Sequence, residues 1–180
     1  MSVRIGGSHV AYGAILSPTK ILVPAHVVAG KSPASLSILA GSNSRTVTTC
    51  GTCEVRNVSS YTIHPNYNVP ATNDVAIIRV PALTYNANVF GSTIAASFSN
   101  AVGTQFTQIG YENGGTNHNG LQTTATAPWT LVTMPGYTFT PGAFVTATTD
   151  TTLYGMISYT QSTYQVYTKL SDYASWINAQ

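Results

Sequence analysis

Ile21-Leu22-Val23-Pro24-Ala25-His26-Val27-Val28 sets a β-branched run against a proline and a histidine, and 48 residues past that histidine Asn73-Asp74-Val75-Ala76-Ile77-Ile78 sets an aspartate ahead of a second such run. Taken alone, a histidine after an apolar strand is structural more often than catalytic. Around these two stretches lie further short runs: Ile15-Leu16, Leu36-Ser37-Ile38-Leu39, Phe106-Thr107-Gln108-Ile109, Phe144-Val145-Thr146, Met156-Ile157-Ser158-Tyr159 and Val166-Tyr167-Thr168. Gly, Pro, Asn and Ser clusters separate them, and this spacing predicts an all-β sandwich or barrel. Helical periodicity is absent until the end, where Ser171 or Asp172 is expected to cap a short helix with Tyr173, Trp176 and Ile177 on one face. Pro81 and the polar stretch from Tyr85 to Asn100 are the expected crossover, dividing one compact unit into halves at 1–92 and 93–180.

The 180 residues suffice for one large or two small cores, and only 7% are charged, so hydroxyls and amides must wet the surface, as suits a secreted protein. The seven cations are scattered without a run, so neither nucleic acid nor an anionic membrane is an expected partner. No apolar stretch approaches a bilayer-spanning length, and the first residues lack a basic-then-apolar leader pattern, so a soluble, already processed chain is expected. Cys50-Gly51-Thr52-Cys53 reads as a small loop disulfide or a pair of free thiols rather than a redox motif, because its flanks, Val47-Thr48-Thr49 and Glu54-Val55-Arg56, read as strand. With no histidine near the cysteines, no zinc site is expected, and no other metal or cofactor is called for. Asn57-Val58-Ser59 is a glycosylation sequon, relevant only along a eukaryotic secretory route.

Together, the His26 and Asp74 segments resemble those of trypsin-like serine proteases. Tyr12-Gly13-Ala14-Ile15-Leu16-Ser17 stands 13 residues ahead of His26, counted from Gly13, at the family's spacing. Ile63-His64-Pro65-Asn66-Tyr67, Ile109-Gly110-Tyr111, Leu121-Gln122, Gly155-Met156-Ile157-Ser158-Tyr159 and the closing Val166 to Ile177 continue the series in order over nearly the whole chain. The resemblance implies two packed antiparallel β-barrels, trypsin-like, with a short C-terminal α-helix. It places His26 and Asp74 on the first barrel, facing the cleft between the two.

Such proteases need a hydroxyl activated by histidine, a carboxylate that orients it, and two backbone N–H groups for the oxyanion. Counting back from Gly155-Met156-Ile157-Ser158, the family's Gly-Asp-Ser-Gly-Gly-Pro loop falls on Thr138-Phe139-Thr140-Pro141-Gly142-Ala143, where only Gly142 matches. Thr140 takes the nucleophile position, and Thr138 and Thr140 take the oxyanion-hole positions. The added methyl restricts Thr140 at χ1, and Pro141 pushes it toward extended backbone angles. Phe139 cannot form the family's buried salt bridge to a newly cleaved N-terminus. Ile5-Gly6-Gly7 looks like the family's mature start, but spacing to His26 places Val3 to His9 on the first barrel strand, and no activation peptide is expected ahead of it. The segment from Ala127 to Thr140 is much shorter than the family's, so the primary specificity pocket is expected to be largely deleted. Met134-Pro135-Gly136-Tyr137 offers it no acidic base. Ala11 and Val27 stand at one likely disulfide pair of the family.

His26 and Asp74 then admit two readings, a mutually satisfied buried pair kept for packing or the remainder of a working site. The first gives a non-catalytic, secreted serine protease homologue that binds a protein or carbohydrate, as inhibitor, lectin or immune modulator. The second gives an unconventional, weak hydrolase using Thr140 with His26 and Asp74. Five tyrosines in the last 30 residues mildly favour a binding surface.

Overall fold

The computed structural model describes residues 1–47, 50–69, 72–98, 105–110, 117–124, 129–133, 141–146, 151–161 and 164–180. The N-terminal half holds β1 (Ser2–Ile5), β2 (Ser8–Tyr12), β3 (Ala14–Ser17), β4 (Lys20–Val23), the short helix α1 (Ala25–Val28), β5 (Leu36–Ala40), β6 (Glu54–Asn57), β7 (Ser60–Ile63) and β8 (Ala76–Arg79). They form two four-stranded sheets, ordered β2-β1-β5-β6 and β3-β4-β8-β7. The remaining strands are β9 (Thr93–Ile94), β10 (Gln105–Ile109), β11 (Asn117–Thr124), β12 (Trp129–Thr133), β13 (Phe144–Thr146), β14 (Thr152–Gln161) and β15 (Tyr164–Lys169). Their order is β13-β10-β11-β12-β15-β14-β9, and because β13 also pairs with β14, six of them return on themselves. Among the described residues all strand pairings are antiparallel except β9 with β14.

Why Ile21-Leu22-Val23 is apolar throughout follows from strand geometry, in which successive side chains face opposite ways. Ile21 and Val23 enter the core of the first half, while Leu22 faces a second cluster shared with Phe144, Met156, Leu170 and Ile177 of the other half. β8 repeats the pattern, with Ala76 and Ile78 inward and Ile77 toward the seam. A strand buried on both faces carries no polar alternation. Ala11 and Val27 are 0% and 7% exposed within the first-half cluster, which stays packed without a bridge between them.

Three sequence expectations change. Val3 to His9 is a hairpin, not one strand, because Gly6 and Gly7 both adopt positive φ (56° and 85°), as a tight two-residue turn requires. The terminal helix α2 (Ala174–Ala179) follows a 3-10 turn over Leu170–Tyr173, and neither Ser171 nor Asp172 caps it. Its far end is held instead by Lys20 Nζ of β4, which donates to the Ile177 carbonyl, so a basic side chain serves the exposed C-terminal acceptors. Cys50 and Cys53 form a disulfide across a turn; Glu54 to Arg56 is strand as expected, whereas Val47 is not, and residues 48–49 lie outside the described residues. No helix among the described residues is long and apolar enough to cross a membrane.

Candidate active-site cleft

His26 sits in the first turn of α1, directly after β4 and Pro24, whose fixed φ starts the helix at the strand's end. Asp74 stands two residues ahead of β8, the strand paired with β4, so the ladder Lys20–Arg79 to Val23–Ala76 brings residues 48 apart in sequence face to face. The carboxylate of Asp74 is fully buried and accepts from the His26 backbone N–H at 2.8 Å (Oδ1), from His26 Nδ1 at 2.7 Å (Oδ2) and from the Ser158 hydroxyl (Oδ2). A carboxylate can only accept, so a proton on His26 Nδ1 makes this bond, which turns Nε2 away from Asp74. The His26 side chain is 31% exposed while its backbone N–H is tied to Asp74.

Two residues beyond those read from sequence complete this arrangement. Ser158, 1% exposed on β14, is the hydroxyl that carries the second half of the molecule onto Asp74. Its place directly after the apolar pair Met156-Ile157 is the sequence signal of a buried hydroxyl, which must have a partner, though not of which one. Asn73 has φ +54°, an unusual backbone for a non-glycine residue, and its side chain donates to the Asn66 carbonyl at 2.8 Å and accepts from Tyr173 Oη at 3.0 Å. The 3-10 turn before α2 thereby braces the residue next to Asp74. Burial, with smaller contributions from Asp172 and Asp74, raises the Tyr173 phenol, so it stays a donor.

Thr138, Phe139 and Thr140 lie outside the described residues, as do Ala127 and the stretch from Met134 to Tyr137. The loop re-enters at Pro141 and Gly142. The Tyr12 N–H donates to the Pro141 carbonyl at 2.9 Å, and the Gly142 N–H donates to the Ile157 carbonyl at 2.7 Å. Gly142 has φ +84°, and a Cβ there would stand 2.0 Å from the Tyr12 carbonyl oxygen. The loop is therefore clamped between β2 and β14 at a point only glycine can occupy. Asn57 is exposed at the end of β6. Among the described residues no cluster of His, Cys, Asp and Glu has the grouping of a metal site.

Residues 1–134 match the family model for trypsin. Among curated proteins no sequence matches. Among solved structures the fold is similar to a doubly substituted mutant of human heparin binding protein, with a TM-score of 0.87 at 13% identity over 99% of this chain and 88% of that one. The all-β architecture with its short terminal helix is thus the trypsin-like fold.

Proposed function

The chain belongs to the trypsin family, and from that premise we propose that it is a non-catalytic, secreted serine protease homologue that works by binding a macromolecular partner, protein or glycan. The observation that carries this reading is Gly142. It is the one position of the nucleophile loop that keeps the family's residue, and it does so where a Cβ would collide with Tyr12, a reason that concerns packing and not hydrolysis. The positions that concern hydrolysis have changed, with Phe139 for the aspartate, Thr140 for the serine and a proline after it. Asp74 fits the same account, since its three donors satisfy a buried carboxylate that the fold would otherwise carry unpaired. The low charge content, the disulfide and the family support secretion. A trypsin-like fold named for binding heparin supports a binding role without naming this chain's ligand.

The test is labelling with a fluorophosphonate together with a panel of peptide and ester substrates, run on the wild type and on Thr140→Ser. No labelling and no turnover in either is the expected result, and a glycan array including heparin together with a protein-interaction screen supplies the positive arm. The ordered His26–Asp74–Ser158 arrangement, with the His26 ring partly exposed, favours one second reading, a slow hydrolase using Thr140. Slow labelling at Thr140 that disappears in His26→Ala would establish that reading and remove the first.

A further inference from the structure

Resting on the secretion that the proposed function includes, we infer that Asn57 carries an N-linked glycan, attached along a eukaryotic secretory route. Of all the asparagines in the chain, Asn57 alone opens an Asn-X-Ser/Thr triplet, with Val58 in the middle, Ser59 at the hydroxyl position and no proline inside or directly after it. Such a triplet is a necessary signal and not a sufficient one, so its place in the fold decides. Asn57 is the last residue of β6, and both it and Ser59 are exposed, whereas Val58 between them is 5% exposed and belongs to the first-half core. The alternation of an extended chain thus turns the amide and the hydroxyl outward and anchors the residue between them inward. Main-chain bonds hold the segment, Val58 N–H donating to the Leu36 carbonyl at 3.0 Å and Ser59 N–H to the Arg79 carbonyl at 2.8 Å.

Among the described residues no hydrogen bond engages the Asn57 side-chain amide or the Ser59 hydroxyl. Asparagines elsewhere in the chain are used locally. Asn73 donates to the Asn66 carbonyl, and the Asn86 amide oxygen accepts from the Asn88 and Val89 N–H groups, as turn residues do. Asn57 instead stands in a strand, where asparagine is disfavoured, and no local bond offsets that. A glycan there is also accommodated by its surroundings. Neither β5, its partner strand, nor β6 gives a residue to the clusters that join the two halves, so the sugar leaves the seam free. Val55, about 7 Å away on the same face of the strand and 45% exposed, is an apolar side chain that the first sugar can cover. Both cysteines of the chain are joined in the disulfide just ahead of β6, which suits the oxidising compartment where such transfer occurs. The donor is a lipid-linked pyrophosphate oligosaccharide. Asn57 Nδ2 bonds to the sugar C1, the C1–O bond to the pyrophosphate breaks and the lipid pyrophosphate leaves with that electron pair. One Nδ2 proton is released, and no oxidation or reduction takes place.

The experiment expresses the whole chain in insect or mammalian cells behind a supplied signal sequence and treats the total protein, secreted and retained, with peptide-N-glycosidase F. A single enzyme-sensitive band shift is expected, with Asn57 recovered as aspartate in the peptide mass spectrum. Asn57→Gln and Ser59→Ala should each abolish the shift, and Ser59→Thr should preserve it. Asn86→Gln, at an exposed asparagine outside any triplet, should leave it unchanged. Transfer acts on the chain as it enters the lumen, before folding, so a variant that folds poorly still reports. The secreted glycoprotein should give the same circular dichroism spectrum as secreted Asn57→Gln, because the attachment point is exposed in the fold. Absence of an enzyme-sensitive shift, its persistence in Asn57→Gln, or a glycan found on retained chain and missing from secreted chain would overturn the inference. An unmodified secreted chain with Thr140 unlabelled leaves the non-catalytic reading standing, whereas labelling at Thr140 overturns that reading and leaves the glycan map as measured.

Discussion

Replacing Gly142 by alanine should destabilise the protein by about 4–6 kcal/mol. A non-glycine residue at φ +84° costs on the order of 1 kcal/mol in backbone strain alone. The new Cβ would also stand 2.0 Å from the Tyr12 oxygen and 2.8 Å from its carbonyl carbon, so strand and loop must part by more than an ångström. Parting them breaks the Tyr12 N–H bond to Pro141 and disturbs the Gly142 N–H bond to Ile157, two backbone hydrogen bonds worth about 1 kcal/mol each. Tyr12, Ala143 and Ile157 belong to one buried cluster, and shifting its members against each other adds about 1–3 kcal/mol. At about 2–4 °C per kcal/mol for a chain of this size, the midpoint should fall by about 10–20 °C in a calorimetric scan. Gly51 is the control, because nothing lies within 4 Å of its Cβ direction and its φ is not positive, so Gly51→Ala should move stability by less than about 0.5 kcal/mol. A loss below about 1 kcal/mol in Gly142→Ala would refute the reasoning, and with it the claim that packing explains why this glycine is present.

Asp74→Ala should cost about 2–4 kcal/mol in urea unfolding, because it leaves the His26 N–H and the Ser158 hydroxyl without their acceptor; a loss under about 1 kcal/mol would show that the carboxylate is not holding the two halves. Tyr173→Phe should cost about 1 kcal/mol and shift the His26 ring proton resonances through Asn73, and an unchanged His26 spectrum would remove Tyr173 from the support of Asp74. Burial, then Arg45 and Arg4, depress His9 from 6.5 to about 4 in the folded protein, so the unfolded chain takes up its proton first; stability should be full above about pH 6.5, fall by on the order of 1–2 kcal/mol between 6.5 and 4, and level off below. His9→Gln should flatten that part of the pH profile, and an unaltered profile would assign the slope to other groups.

What could be read from the residues, and what could not, divides by the range of the interaction. Strand runs such as Ile21 to Val23 and Val75 to Val80 are local patterns, and each lands on a strand, because β-branched content and turn residues act over a few positions. The pairing of His26 with Asp74 was legible only by comparison with a family, since nothing within either stretch specifies the register that joins β4 to β8. Gly6 and Gly7 were misread because spacing alone located a strand there without the bend that two positive-φ glycines introduce. The contact of Gly142 with Tyr12 escaped sequence reading altogether. It joins the two halves through main-chain atoms, and a backbone clash leaves no trace in hydropathy or periodicity. Ser158 escaped for a related reason: β14 carries several hydroxyls, and only the fold shows that this one reaches Asp74.

The same division explains which family features this chain keeps. Asp74, Ser158 and Gly142 each bind one half of the molecule to the other or satisfy a group buried there, and losing any of them would cost stability whatever the chain does. On the proposed reading, Phe139, Thr140 and Pro141 take positions where hydrolysis dictates the family's residues. Thr140→Ser separates the two explanations. A chain kept for stability and binding should stay inert when given a serine, because the proline after it and the non-glycine Thr138 remain, whereas a chain one hydroxyl short of activity should begin to turn over ester substrates, with turnover lost again in His26→Ala.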